Sequence, residues 1–292
     1  MHKFLRAIGF STYQKKKDIT NLVNTFIDRK DYIEKVEVEE DINFCEIRGE
    51  VSPGMGISIC GEMDEEGNFQ TEYYYPYLIN KEKSSDSECT IQRHTEKETY
   101  SGLLDEYKVG ISLIFYVENI SEYKKLKSKN KSITVDHVCL TGLSIKGKIL
   151  LPIKKTKKQI ESARVASKNR CSLLEAAKNG DEDAMETLTI QDIDLYSQIS
   201  RRIIKEDIYS IIDSCFMPCG VECDQYAIIG EIIEVETLKN NITEEEVYNL
   251  KLESSDLIFH VVINKKDLLG EPIVGRRFKG QIWMQGTVMF KA

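Results

Sequence analysis

The chain has 292 residues, a formal net charge of −8, 41% hydrophobic and 30% charged residues, and only 5 prolines. That length suits one large or two ordinary domains, and the apolar content supports a packed core rather than a disordered chain. The acidic balance disfavours nucleic acid or an anionic membrane as a partner held by bulk charge. No apolar run reaches the roughly 20 residues of a membrane helix, and the opening Met1–Gly9 is too short and interrupted for a secretory leader. The chain is therefore expected in the cytoplasm, where its 8 cysteines act as buried thiols rather than as a disulfide framework.

Residues Asp18 to Lys30 predict a helix, because Ile19, Leu22, Val23, Phe26 and Ile27 recur as one apolar stripe and Asp18 suits an N-cap. Short alternating runs follow. Phe44–Val51, Gly56–Glu62, Phe69–Leu78, Val109–Glu118 and Val135–Ile149 predict strands, with a turn at Asp64–Asn68 and a loop over Lys81–Glu88. Helical patterns occupy Ser162–Asn179, stopped by Gly180, then Asp183–Leu188, Asp192–Arg202 and Glu206–Phe216. The last of these carries Ile208, Ile211, Ile212 and Cys215 on one face and ends at Pro218.

Strand patterns return at Tyr226–Glu236, Val247–Glu253, Leu257–Asn264 and Phe278–Phe290. In the final run Phe278, Ile282, Met284, Val288 and Phe290 share one face, and Lys279, Gln281, Trp283, Gln285 and Thr287 share the other. The fold class is α+β. Residues 1–155 form an N-terminal antiparallel sheet with a packed helix. Residues 156–292 form a helical segment followed by a small barrel-like or curled sheet of the oligonucleotide/oligosaccharide-binding kind.

Two segments imitate a GTPase. Gly142–Lys148 has phosphate-loop spacing and Asn264-Lys265-Lys266-Asp267 imitates a guanine-recognition tetrapeptide. The imitation fails because Ile149 stands where Ser or Thr must ligate magnesium, the segment continues as strand to Pro152, and no Asp-x-x-Gly lies between the two. Cys215, Cys219 and Cys223 invite a metal reading at the end of a helix, but no fourth ligand is near, so no metal or cofactor is expected. None of His2, His94, His137 and His260 belongs to a nucleophile signature.

From Tyr123 to Gln159 there are eleven lysines and one acid, Asp136, in clusters Lys124–Lys131 and Lys154–Lys158. With no arginine and almost no aromatic residue among them, the bland reading of a solvated surface is preferred. Arg276, Arg277 and Trp283 offer the composition of a binding anchor leading into the last strand, while the tendency of large aromatics to be buried favours a tryptophan under a covering helix with the arginines paired to acids. The cluster Tyr73-Tyr74-Tyr75-Pro76-Tyr77 must place tyrosines on both faces of its strand.

Three stretches together, Met1–Phe10, Phe216–Asp224 and Gly275–Gly286, resemble a domain-of-unknown-function family of anaerobic Gram-positive bacteria, family 3881. The resemblance runs the length of the chain and implies a cytosolic bacterial protein, without supplying an activity or a catalytic residue. The preferred reading is a non-enzymatic binding or assembly module using the C-terminal β surface around Arg276, Arg277 and Trp283, with a protein or a second copy of the chain as partner. The alternatives are a hydrolase-like enzyme with a pocket between the two β parts, served by His94 or His260, and a metal protein through Cys215, Cys219 and Cys223.

Overall fold

The computed structural model describes all residues except 1, 30–31, 40–41, 94–97, 130–132, 222 and 292. A short 3-10 turn, Lys3–Ile8, precedes helix α1 (Lys16–Arg29) and four strands, β1 (Tyr32–Glu39), β2 (Ile42–Ser52), β3 (Met55–Met63) and β4 (Phe69–Leu78). Strands β5 (Cys89–Arg93), β6 (Tyr100–Glu106) and β7 (Ile111–Val117) follow, then helix α2 (Ile120–Ser128) and the 16-residue strand β8 (Val135–Leu150). Helices α3 (Lys157–Lys178), α4 (Glu182–Ile203) and the short α5 (Ile208–Ile211) lead into β9 (Cys215–Pro218). Strands β10 (Gln225–Lys239), β11 (Glu246–Ser254), β12 (Leu257–Asn264), β13 (Leu268–Leu269) and β14 (Arg277–Phe290) complete the α+β fold.

Strands β1 to β4 form an antiparallel sheet in sequence order. Helix α1 buries Ile19, Leu22, Val23 and Phe26, which is the stripe its 3.6-residue period predicts. It starts two residues before the expected cap, so Asp18 lies inside the first turn, where its charge still suits the helix dipole. Phe26 lies over Gly49 of β2, where a Cβ would come within 2.1 Å of the ring.

The other ten strands form one mixed sheet, and five of them close into a ring. β8 pairs in parallel with β12; β12 with β11, β11 with β10, β10 with β14, and β14 with β8 are all antiparallel. Along Arg277–Trp283, β14 has β10 on one edge and β8 on the other. The small C-terminal barrel read from the sequence is therefore present, and its fifth strand, β8, comes from before residue 155. Beyond Trp283 the β10 neighbour ends, and β7 takes its place at Gln285 and Gly286, carrying β6 and β5 with it. Side chains from Ile228, Ile232, Leu250, Leu252, Phe259, Val261, Phe278 and Ile282 are buried in this part of the core.

Two helical expectations change. Asp183–Leu188 and Asp192–Arg202 are one continuous helix, capped by the Asp181 side chain on the Ala184 amide. The helix expected over Glu206–Phe216 survives only as Ile208–Ile211; Cys215 and Phe216 instead pair with Ile229 and Ile228 along β10. The open edge of β10 beyond its pairing with β11 offers backbone hydrogen bonds that the isolated helical pattern could not reveal. At α3 the Thr156–Gln159 capping box satisfies the first amides despite the flanking lysines.

Gly49→Ala forces the ring of Phe26 or the strand to move, so it should lower stability by about 1–3 kcal/mol. Urea denaturation would measure this, and an unchanged midpoint would mean that α1 does not lie against β2 as described.

Candidate functional site

The face of β14 carrying Trp283, Gln285 and Thr287 reads from the sequence as polar, with Trp283 either an open anchor or covered by a helix. It lies in the seam between the two sheets. Gln285 is fully buried and its Nε2 donates to the Pro76 carbonyl of β4 at 2.8 Å. Thr287 donates to Glu118 Oε2 at 3.0 Å. Strand register sets Tyr116, Gln285 and Thr141 side by side across β7, β14 and β8. Among the described residues the Tyr116 hydroxyl, Gln285 Oε1, Thr141 Oγ1 and Glu118 Oε1 have no hydrogen-bond partner. The Tyr73 side chain lies close to the Tyr116 hydroxyl. Orphaned buried polar atoms cost stability and are a mark of sites that receive a ligand or water.

Beside this row the seam is tied by a buried acid. Glu46 on β2 accepts from Arg48 at 2.8 Å, Ser58 at 2.7 Å and Ser121 of α2 at 2.7 Å. Arg48 and Tyr75 both donate to the Glu118 carbonyl, at 3.0 and 3.1 Å. The first sheet is thereby fastened to the end of β7 through satisfied polar contacts, which buried charge requires.

A cavity of about 390 Å³ opens at the end of the seam, walled by His2, Tyr73, Tyr75, Tyr116 and Trp283, with Glu72 at its rim. The rings form a continuous path. Centroid distances are 4.6 Å for His2–Trp283, 5.3 Å for Tyr116–Trp283, 4.7 Å for Tyr75–Tyr116 and 6.5 Å for Tyr73–Tyr75. Trp283 is 5% exposed; its indole donates to Asp224 at 2.6 Å and Phe4 stacks on it at 5.4 Å. The 3-10 turn that supplies His2 and Phe4 is strapped to the barrel. Arg6 forms a two-pronged pair with Asp267 at 2.6 and 2.7 Å, Asn240 donates to the Ile8 carbonyl and Thr243 to that of Gly9. Burial pulls His2 down to about 4, so its ring is neutral at ordinary pH, and Nδ1 has no partner among the described residues. Burial likewise holds the tyrosine hydroxyls of 73, 75 and 116 well above their usual range. The wall thus presents ring faces and uncharged polar atoms.

The residues singled out in the sequence fall apart in space. Trp283 reaches the cavity, but under the N-terminal turn rather than in the open. Arg277 is 4% exposed and donates to the carbonyls of Leu151, Ile212 and Tyr209 at 3.0, 2.6 and 2.6 Å. It pins the ends of the helical insertion, and one side of it borders a second, polar cleft of about 630 Å³ against α3. Arg276 bonds the Glu271 carbonyl at 3.1 Å. His260 bonds Asn249 at 3.1 Å on β11 and does not line the cavity; His94 lies outside the described residues, as does Lys131. Lys124 is buried and paired with Glu98, and Lys125 pairs with Glu34, so the first lysine cluster is partly structural.

Cys215 lies on a strand, not a helix. Extended backbone carries residues four apart to roughly 13 Å, so Cys215 and Cys219 do not share a helical face. Among the described residues no group of three or more His, Cys, Asp or Glu is placed to hold a metal. Burial raises the Cys139 thiol to about 11 and the Cys60 thiol further, as suits inert core cysteines. The GTPase-like segments are structural: Gly142–Lys148 is mid-strand in β8, and Asn264, Lys266 and Asp267 hold Glu245 and Arg6. The parts of the site that sequence reasoning missed are His2, Tyr116 and Glu118. The tyrosine run at 73–77 was the signal for the rest.

These features define an α+β protein with a closed five-stranded barrel and an aromatic cavity at the seam of its two sheets. The chain belongs to DUF3881, a domain-of-unknown-function family described from E. rectale, which it matches over residues 5–286. No curated protein and no solved structure matches it. No helix among the described residues is long and apolar enough to cross a membrane.

Burial raises the Glu118 carboxyl from an ordinary 4.5 to about 7. Folded Glu118 keeps its proton where the unfolded residue has lost it, so this group costs increasing stability as pH rises from 4.5 to 7. His2 acts with the opposite sign, its contribution being lost as pH falls from 6.5 towards about 4. Glu118→Gln should therefore be nearly neutral at the acid end and stabilising by up to about 3 kcal/mol above pH 7. Urea midpoints at the two pH values test this; the same difference at both would remove Glu118 as the titrating group.

Proposed function

We propose that this protein is a cytoplasmic, non-enzymatic binding module whose ligand is an uncharged, flat-ring small molecule held in the seam cavity. The observation that carries the reading is the joint presence of the ring walls of His2, Tyr73, Tyr75, Tyr116 and Trp283 and two uncharged, unpartnered polar atoms, His2 Nδ1 and the Tyr116 hydroxyl. Ring faces favour a planar partner by offset or edge-on stacking. Two buried, unpartnered polar atoms on residues of a largely aromatic wall fit the usual design of a small-molecule site, in which a few polar groups set orientation. Among the described lining residues Glu72 is the charged one and it is exposed, which favours a neutral ligand against the ring walls, since a buried unpaired charge is expensive. A hydrolytic role draws less support, because His260 is engaged with Asn249 away from the cavity. The eight cysteines are all free thiols, which supports a reducing compartment. Of the three residues first singled out, the reading keeps Trp283 as a ligand contact and leaves Arg276 and Arg277 with their carbonyl bonds.

Trp283 is the single tryptophan, so its fluorescence reports on the cavity alone. Titration with adenine, uracil, indole and p-cresol should give a saturable change with at least one, while methyl glucoside gives none. Tyr116→Phe keeps the ring and removes the orphan hydroxyl. It should raise the melting temperature of the free protein and weaken that ligand by about three- to tenfold. Four flat probes without a saturable response at millimolar concentration, or a Tyr116→Phe variant with unchanged affinity, would overturn the reading.

A further inference from the structure

Helix α4 leaves an apolar face uncovered. Its two buried residues, Ala184 and Leu188, lie on one side. On the opposite side Met185, Thr189, Ile193, Tyr196, Ser200 and Ile204 follow one another at steps of three or four residues, which is one stripe of a helix. Ile193 is 60% exposed, Tyr196 75% and Ile204 82%, with Ile190 at 53% beside them. Thr189 and Ser200 interrupt the row and Leu195, on the side of Leu188, is also 53% exposed, but this many exposed apolar side chains on one helix is a mark of an interface.

Charge on the same helix states what would cover it. The first turns carry Glu182, Asp183 and Glu186, and the last carry Arg201 and Arg202. Of these, Glu182, Asp183, Glu186 and Arg201 make no ion pair among the described residues. A helix that is acidic at one end and basic at the other is complementary to a reversed copy of itself. We propose that α4 is a homodimer interface in which the outer face packs antiparallel on α4 of a second copy, centred on Ile193. In that register Ile193 meets its own equivalent, Tyr196 and Ile190 flank it on opposite sides, and Glu186 lies within about 1.5 Å along the axis of Arg201 on one flank, given a rise of about 1.5 Å per residue. Each contact occurs twice, as two-fold symmetry requires. The 22-residue helix offers about 33 Å of contact length.

Analytical ultracentrifugation of the full chain tests this. Wild type is expected to dimerise reversibly, and Ile193→Asp, at an exposed position, should give a monomer with unchanged circular dichroism. Glu186→Arg and Arg201→Glu should each weaken the dimer by about tenfold, because each sets like charges opposite one another twice. The double variant should recover most of the loss. A wild type that stays monomeric, a dimer indifferent to Ile193→Asp, or a double variant no tighter than the singles would each overturn the proposal. So would a monomer that sediments with phosphatidylcholine vesicles through this face, which would assign the stripe to lipid.

Discussion

Strand β14 is the constraint on which the rest of the molecule hangs. It pairs with β8 from Arg277 to Phe290 along one edge, while its other edge serves β10 first and β7 afterwards. The first pairing closes the barrel, and the second carries the β5–β7 extension. Because successive side chains alternate, one strand also supplies two interiors: Phe278, Ile282, Met284 and Val288 to one core, Trp283, Gln285 and Thr287 to the seam. Glycines permit this crowding. The ring of Phe278 lies where a Cβ on Gly147 or Gly280 would be, and that of Phe115 where one on Gly102 or Gly286 would be.

The seam is an expensive way to join two sheets. A fully apolar interface would cost nothing in orphaned hydrogen bonds, yet here a buried acid, a buried arginine and a row of hydroxyl and amide oxygens meet. The Glu46 cluster is satisfied, and by fixing Arg48, Ser58, Tyr75 and Ser121 around one carboxylate it sets the relative position of the two sheets. The row Tyr116–Gln285–Thr141 is not satisfied. Local departures from full hydrogen bonding concentrate where a protein keeps a function, at a cost met elsewhere in the fold. The strap that brings His2 and Phe4 over Trp283 belongs to the same economy: charge-assisted bonds at Arg6 and Glu245 hold a short 3-10 turn that would be unstable alone.

The helical insertion between β8 and β9 is a different kind of structure. It packs mainly on itself, with Arg170–Asp192 joining α3 to α4, and polar ties to the body run through Ser167–Asp256 and Lys178–Asp105. Its ends are pinned by Arg277, which donates into carbonyls left open where the chain enters and leaves the hairpin. An apolar stripe that the body does not cover is then available for a second chain.

The sequence by itself determined the elements whose periodicity is strong. The stripe of α1, the strands β4, β12 and β14, the Gly180 stop and the Gly67 turn all lie where their patterns require, because local backbone preference and tertiary pairing agree there. β1, with its charged alternation, the short β5 and β6, and helix α2 escaped notice, since their apolar content is too low to stand out from loop. Only the tertiary structure decided which face of β14 meets water. Alternation identifies two faces and their polarity, but a polar face is buried or solvated according to what the rest of the chain lays over it. That is why the sequence leaves Trp283 between an exposed anchor and a covered core residue, and the tertiary structure roofs it with Phe4 and His2. It is also why Cys215 left its helical pattern for the free edge of β10. Long-range pairing supplies backbone hydrogen bonds that no local window of sequence contains.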